Sequence, residues 1–416
     1  MFNKPDAKRE QCMLTGKFKK QGYDWWWHSF TAYSEKTGQE RPFFIEYFVC
    51  NPALAEDEPV FGQLPANKEA GKRPSYLMVK AGTWLEDGAH LHRFFPWKDV
   101  DMKWGTPFSV SADDCFCNTS EMRGKVSVTK EEAESHPEWL CVGYGEFEWD
   151  IKIEKKITFN VGYGAGGLFR KLKAFEMFWH AEGIKTQYEG YITYNGEKYI
   201  ISKDTCNGYA DKNWGKDFTT PWVWLSSNDM TSKITGKKLE NTVIEIGGGK
   251  PKVGPLTLNG KLLGCMYYEG QEYEFNFSKF WTGSRTKFSC GENDTQIVWH
   301  VDQKTRKGRL VSNFRCEKKE DVWDKVHEEL AEVEEACAGG HPDEMELEFG
   351  DLLFATINAA RLYGIDPEVA LGRSCSKFRR RFSYLEEHTL KKGIKLTDLT
   401  LAEMDAIWDE AKAKGL

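Results

Sequence analysis

A change of hydrophobic period near residue 315 constrains this chain more than any other feature. Before it, large apolar residues alternate with polar ones at the strand period. "RPFFIEYFVC" (41–50), "WDIKIEKKITFNVGYG" (149–164) and "QEYEFNFSKFWTG" (271–283) show this best. Asn195-Gly196, between β-branched and aromatic arms, predicts a type I′ hairpin, and "LTLNGKLLG" (256–264) repeats that grammar. Beyond "SNFRCEKKED" the period becomes helical. Val322, Val326, Leu330 and Val333 mark one helix; Leu352, Leu353, Ile357 and Ala360 mark a second. Pro367 after Asp366 opens a third over 367–388, and "TDLTLAEMDAIWDEAKAK" (397–414), beginning with a Thr or Asp cap, makes a fourth. The expectation is a multidomain chain: antiparallel strands in a sandwich or barrel over 15–316, then an all-α module over 320–416.

Composition narrows the classes. With 416 residues, 40% hydrophobic and 14% aromatic, the chain can bury sizeable cores and is not disordered. Residues 317–416 carry 23 acids against 14 Lys and Arg, whereas the preceding residues carry 41 against 43. Neither part has the basic excess of a nucleic-acid binder. The N-terminus has no apolar signal-like core, and no run of about 18 apolar residues predicts a membrane span. Eleven cysteines without a signal segment predict reduced thiols in the cytoplasm. Cys115-Phe-Cys117 lacks a zinc spacing and reads as structural.

Two acidic pairs stand out in the helical part. Glu329 and Glu332 are three apart and project from one helix face, and Glu348 and Asp351 repeat this on the next helix. The intervening segment is long enough for a helix end, a turn and a return, so antiparallel packing would bring four carboxylates together. Such a group repels itself unless a cation compensates, and hard oxygen ligands suit Mg²⁺ or Mn²⁺. The alternative is a solvated acidic face, since Glu334, Glu335, Glu344 and Glu346 are acidic too. Gly350, unfavourable within a helix, suggests close approach of another group. Lys377 and Arg381, four apart in "KFRRRF", are cations of the kind a polyphosphate substrate needs.

"KVHEELAEVEEA", "ELEFGDLLFATINAARLYGIDPEVAL", "SKFRRRF" and "LTLAEMDAIWDEAKAK" together resemble the C-terminal catalytic domain of MazG-type nucleoside triphosphate pyrophosphohydrolases. The resemblance implies an all-α homodimer that hydrolyses nucleoside triphosphates at the α–β linkage. It implies Glu329, Glu332, Glu348 and Asp351 as metal ligands and Glu328 as a carboxylate orienting the attacking water. Lys325, Lys377 and Arg381 would contact the phosphates. The chain departs from the family before the first acidic pair, where "RKGRLVSNFRCEKKED" replaces a further helix and an "FDW"-like segment.

The earlier residues pose a separate question. "GYDWWWHSF" (22–30), "FEMFWHAEG" (175–183) and "NGYADKNWGKDFTTPWVWLSSND" (207–229) mix many aromatics with few polar groups. That is the composition of an apolar-ligand cavity, or of an ordinary aromatic core. Alternation places Trp222 and Trp224 on one side of a strand. These stretches resemble the tocopherol cyclase-like family of lipocalin-like barrels, related to carotenoid hydratases. The resemblance implies two β lobes around an elongated apolar cavity for an isoprenoid-like ligand. Its chemistry would be acid-assisted addition to an alkene, with Asp211, His28 and His180 as acid candidates. Trp179, His180, Trp214, Trp222 and Trp224 would line the cavity. The family continues with strands where this chain turns helical. "GYGAGG" (162–167) satisfies GxGxxG, but hairpins rather than βαβ units surround it, which argues against nucleotide binding there.

Three function classes follow: a pyrophosphohydrolase with an appended ligand-binding β domain, a cyclase-like or hydratase-like barrel with an inactive helical module, and a pure binding protein.

Overall fold

The computed structural model describes residues 7–416 apart from 56, 86–87, 160–176, 219–221, 251, 254–255, 258, 278, 294–295, 318–319 and 364. The "GYGAGG" segment therefore lies outside the described residues. The chain divides into two compact units, one of Met1–Ser289 with His300–Phe314 and one of Cys290–Trp299 with Arg315–Leu416.

Strands come first and form antiparallel sheets. They are β1 (Tyr23–Ser34), β2 (Glu40–Cys50), β3 (Tyr76–Thr83), β4 (His90–Phe95), β5 (Asp101–Lys103) and β6 (Ser109–Ala112). Next are β7 (Cys115–Asn118), β8 (Glu121–Val128), β9 (Gly145–Phe159), β10 (Met177–Tyr194), β11 (Glu197–Ile201) and β12 (Gly208–Gly215). These twelve make one sheet in the order β4-β3-β2-β1-β11-β10-β9-β8-β7-β6-β5, with β12 pairing both β1 and β10. The sheet curls like a barrel. Tyr47 on β2 donates its hydroxyl to the carbonyls of Phe116 at 2.9 Å and Arg123 at 3.2 Å, across the interior. Its inner face is filled by Trp26, Phe30, Phe43, Tyr47, Phe147, Trp149 and Tyr188, all buried. Buried charges there are paired: Lys155 with Glu10 at 3.0 Å and Glu182 at 3.1 Å, and Lys212 with Asp24.

A second set of strands follows: β13 (Trp222–Ser227), β14 (Thr242–Gly249), β15 (Lys252–Val253), β16 (Leu256–Thr257), β17 (Lys261–Tyr268) and β18 (Gln271–Phe275). The last three are β19 (Arg285–Glu292), β20 (Gln296–Lys304) and β21 (Arg309–Glu317). The order β13-β14-β17-β18 forms a four-stranded sheet, β15 and β16 pair with each other, and β19-β20-β21 form a third sheet.

Turn chemistry explains one expectation and corrects another. Asn195 and Gly196 both have positive φ, at 49° and 80°, and Tyr194 pairs with Glu197, as a type I′ turn requires. The described arms of "LTLNGKLLG" pair elsewhere, Leu256–Thr257 with β15 and Lys261–Gly264 with β14, and Leu258 between them lies outside the described residues. The tight hairpin in this region is at Glu269-Gly270, with φ of 42° and 96°. Nor is 271–283 one strand: β18 stops at Phe275, and Phe280–Thr282 is a 3₁₀ turn.

The helical unit carries α1 (Glu320–Gly339), α2 (Pro342–Leu362), α3 (Pro367–His388) and α4 (Leu401–Ala413). Pro sits in the first turn of α2 and α3, where its missing N–H costs nothing, and the Asp366 carboxylate accepts from the N–H groups of Glu368 and Val369. α4 starts later than 397, because Thr400 and Glu403 form a reciprocal capping box after a 3₁₀ turn at Leu396–Asp398. Trp323 of α1 donates to the Tyr363 hydroxyl just after α2 at 2.8 Å, and Phe378 of α3 packs on Trp408 of α4. Among the described residues, no helix is long and apolar enough to cross a membrane.

Candidate functional sites

In the helical unit, a short connection turns α2 back along α1. Glu329 and Glu332 on α1 then meet Glu348 on α2, each with a carboxylate oxygen within 4.8 Å of the others. Glu329 is buried, Glu348 half-buried and Glu332 exposed. Lys325 lies one turn before Glu329 and pairs with it at 2.8 Å and with Glu328 at 3.0 Å. That ion pair engages Oε1 of Glu329 and leaves its buried Oε2 without a partner. Partial desolvation, then the like charges of Glu329 and Glu348, raise the Glu332 carboxyl above its ordinary pKa. An orphaned buried oxygen beside two more carboxylates is a donor set suited to a hard divalent cation, so these residues could hold a metal.

The other residues expected there are placed differently. Asp351, on the next turn of α2, is exposed and outside the group of three. A Cβ on Gly350 would meet nothing within 4 Å, so close approach is not the reason for that glycine. Arg381 donates Nε to the carbonyl oxygen of Leu416 at 2.6 Å, while Lys377 faces a groove on α3.

The β unit holds a second constellation, built by strand alternation. β12 puts Tyr209, Asp211 and Asn213 on one face, and Trp27 of β1 lies directly across from Asp211. Trp179 of β10 pairs with Asn213 and joins the same face. Trp179 Nε1 donates to Asp211 Oδ2 at 3.1 Å, and Asn213 Nδ2 donates to the same oxygen at 3.2 Å. From the second sheet comes Glu245 on β14, whose Oε1 accepts from Tyr209 at 2.8 Å and from Trp224 Nε1 at 2.6 Å. Its Oε2 is buried without a partner. Burial pushes Asp211 up to about 7 and Glu245 up to about 8, and the neutral donors offset this only in part. Glu46 on the neighbouring strand is likewise pushed by burial to about 7. All three are shifted toward holding a proton near neutral pH.

The remaining β-unit candidates are dispersed by the same alternation. Trp214 points to the opposite face of β12 from Asp211, stacked on Phe178 and above Lys212. Trp222 and Trp224 share a side of β13 at 59% and 41% exposure, while Val223 and Leu225 pack on a buried cluster. Of the four tryptophans, Trp179 and Trp224 reach the acids. His28 and His180 are fully buried; desolvation, then the charge of Lys155, holds His28 down to about 3 and His180 well below its ordinary value. Both rings are therefore neutral, and of the three acid candidates Asp211 alone is shifted toward holding a proton. His28 Nδ1 is 3.0 Å from the Tyr188 hydroxyl. Glu245 was not singled out from sequence. Its signal was a lone carboxylate inside "TVIEIGGG", an apolar strand where a charge has no solvent.

Both regions match known families. Residues 118–288 match the family model described as tocopherol cyclase-like, and residues 318–385 match the MazG nucleotide pyrophosphohydrolase domain. The helical stretch is 43% identical over 93 residues to the nucleoside triphosphate pyrophosphohydrolase/pyrophosphatase MazG of Thermotoga maritima, covering 22% of this chain and 35% of that one. The nucleoside triphosphate pyrophosphohydrolase of Escherichia coli K12 is 40% identical over the same length and shares. YabN of Bacillus subtilis, an uncharacterized protein, is 51% identical over 72 residues, 17% of this chain and 15% of that one. The chain thus spans little more than a third of these relatives at most. Among solved structures, kievitone hydratase from Nectria haematococca aligns with 76% of this chain and 97% of its own at a TM-score of 0.34 and 11% identity. An AttH protein of Nitrosomonas europaea aligns with 71% of this chain and 91% of its own at 0.37 and 11%. Likeness that weak carries no argument.

Proposed function

We propose that the helical unit, over 320–416, hydrolyses nucleoside triphosphates to nucleoside monophosphates and pyrophosphate. The observation that carries this is the meeting of Glu329, Glu332 and Glu348 around an unpartnered buried oxygen, in a stretch that matches MazG-type enzymes. In this reading these three and Asp351 hold Mg²⁺ or Mn²⁺. When bound, the cation supplies Lewis-acid polarisation and charge compensation at the phosphates. Glu328 would orient a water toward the α-phosphorus once Lys325, which pairs with Glu328 and Glu329, exchanges its carboxylate partners for a phosphate. Lys377 and Arg381 offset charge on the leaving pyrophosphate, with Arg381 first releasing Leu416.

The unit also exposes Leu353, Phe354, Ile357, Leu371 and Phe378, more apolar surface than a small monomeric module usually shows, which supports self-association as a homodimer. Among the described residues no disulfide is formed, and Cys115 and Cys117 are buried thiols, which favours a reducing cytoplasmic setting. The test is pyrophosphate release from the common NTPs and dNTPs, with and without Mg²⁺. Metal-dependent pyrophosphate, without orthophosphate, is the expected result; no pyrophosphate from any nucleotide rejects the activity.

A second reading has its own observation. The β unit over 15–316 keeps protonated carboxyls at Asp211 and Glu245 beside Trp179 and Trp224, suited to proton donation to an isoprenoid-like alkene in a tocopherol cyclase-like or hydratase-like reaction. Saturable quenching of tryptophan fluorescence by an isoprenoid quinol would support a ligand there, and its absence would leave the unit without one.

A further inference from the structure

One row of side chains crosses five strands on a single face of the twelve-stranded sheet. Asp211 on β12 lies opposite Trp27 on β1, and Trp27 lies opposite Glu46 on β2. Glu46 in turn faces Lys80 on β3, and Lys80 faces His92 on β4. Directly opposed residues of antiparallel strands share a face, so these belong together, away from the side where Trp26 and Phe30 fill the core. Apolar side chains wall the row. Two residues along each strand, Trp25, Phe48, Met78 and Phe94 repeat the register beside it. On the other side Phe44 lies over Gly82, where a Cβ would collide with its ring. Trp84, half exposed, packs with its ring centroid 4.8 Å from that of Phe44 and 6.2 Å from that of Trp27. The result is a polar lane between aromatic banks.

Lys80 is the member of that row left without a counter-charge. Among the described residues it makes no ion pair, and its ammonium lies over the Phe44 ring, 5.2 Å from the centroid. Its neighbours in the row do not supply the missing anion. Burial pushes the Glu46 carboxyl up to about 7, toward the neutral acid. Burial likewise holds His92 down to about 4, so that ring is neutral and adds no second cation. His92 Nδ1 donates to the Trp139 carbonyl, which leaves its buried Nε2 bare and without a partner. An ammonium has three protons, so Lys80 can serve that nitrogen and an oxyanion together. A small anion would leave the aromatic banks unused, and a neutral chain would leave Lys80 uncompensated. An oxyanion carried on an apolar chain satisfies both. Three strand spacings separate Lys80 from Asp211, about 14 Å, the span of roughly ten chain carbons. We propose that this lane binds a long-chain carboxylate, its head on Lys80 and its chain lying across Trp27 toward Asp211. The head subsite stands by itself; an alkene at the far end rests on the reading of Asp211 and Glu245 as proton donors.

The test titrates oleate, below its micelle-forming concentration, into the full chain and follows calorimetry and tryptophan fluorescence. The wild type should bind it saturably, and oleyl alcohol, the same chain without the charge, about tenfold more weakly or worse. Lys80→Met keeps an apolar stem over Phe44 and should bring oleate down to the level of the alcohol. Lys198→Met removes a lysine that lies over another ring, Tyr191, and should bind oleate as the wild type does. Circular dichroism checks the fold of both variants. Wild-type protein that ignores oleate, takes it up without saturation or binds the alcohol as tightly overturns the lane. So does a Lys80→Met variant with undiminished affinity, or an equal loss in Lys198→Met. Lys80-dependent binding with an oleate double bond that stays unchanged on long incubation, read by NMR, keeps the lane and counts against proton donation alone.

Discussion

Glu329, Glu332 and Glu348 crowd together at the edge of solvent with a lysine on one of them, whereas Asp211 and Glu245 crowd together out of water with indole, amide and phenol donors. The same side-chain chemistry meets two different remedies. At the edge of solvent, the ammonium of Lys325 lies on Glu329 and offsets part of the repulsion. Where water is excluded, no lysine or arginine among the described residues donates to either acid, and a proton becomes the cheaper counter-charge. The first arrangement suits a site that binds cations and phosphates; the second suits one that gives up a proton.

The contrast breaks most sharply at Glu348. Glu348→Gln removes one ligand charge and keeps a good helix former, so it should cut pyrophosphate release about 100-fold or more while the helical circular dichroism is unchanged. An unchanged rate would place the chemistry elsewhere. The mirror substitution, Glu245→Gln, should leave that rate alone, because it touches the other cluster.

A smaller effect should separate the surfaces of the two regions. Phe354 is 73% exposed on α2, so Phe354→Ser should shift sedimentation toward monomer without lowering the thermal midpoint of a fully dissociated sample. Wild-type protein that already sediments as a folded monomer at micromolar concentration would refute self-association.

The smallest effect is on the pH dependence of stability. Asp211 and Glu245 titrate near 7 and 8 in the fold, above an ordinary carboxyl, so the folded chain retains protons that the unfolded chain has shed. Their contribution is full below about pH 4 and is lost as pH rises through about 7 and 8. His28, held down to about 3, works in the opposite sense: its contribution is present above about pH 6.5 and is lost as pH falls toward 3. Glu245→Gln can still accept from Tyr209 and Trp224 but cannot ionise. Its thermal midpoint should therefore fall less steeply than the wild type's between about pH 6 and 9. Parallel slopes would mean that Glu245 is not the proton holder.

Much of this was legible along the chain. The strand period, the Asn195-Gly196 turn, the Pro-initiated helices and the i, i+3 acid pairs are local properties, set by backbone sterics within a few residues. The meeting of Glu329 with Glu348 was legible too, because a short turn between two helices leaves few ways to pack them. Other features depended on distant partners. "LTLNGKLLG" had the residues of a hairpin, yet its first arm pairs β15 and its second arm pairs β14. Arg381 lies four residues from Lys377, but it turns to the chain end because Leu416 presents a carbonyl to it. Asp211 was visible as an acid, but Glu245 comes from another sheet, and nothing within either strand says that the two share Tyr209. Local periodicity determines which side of an element a residue occupies. Which sides meet, and how much water remains between them, is a sum over contacts far apart in the chain, and that sum is what leaves one carboxylate at the edge of solvent and another out of water.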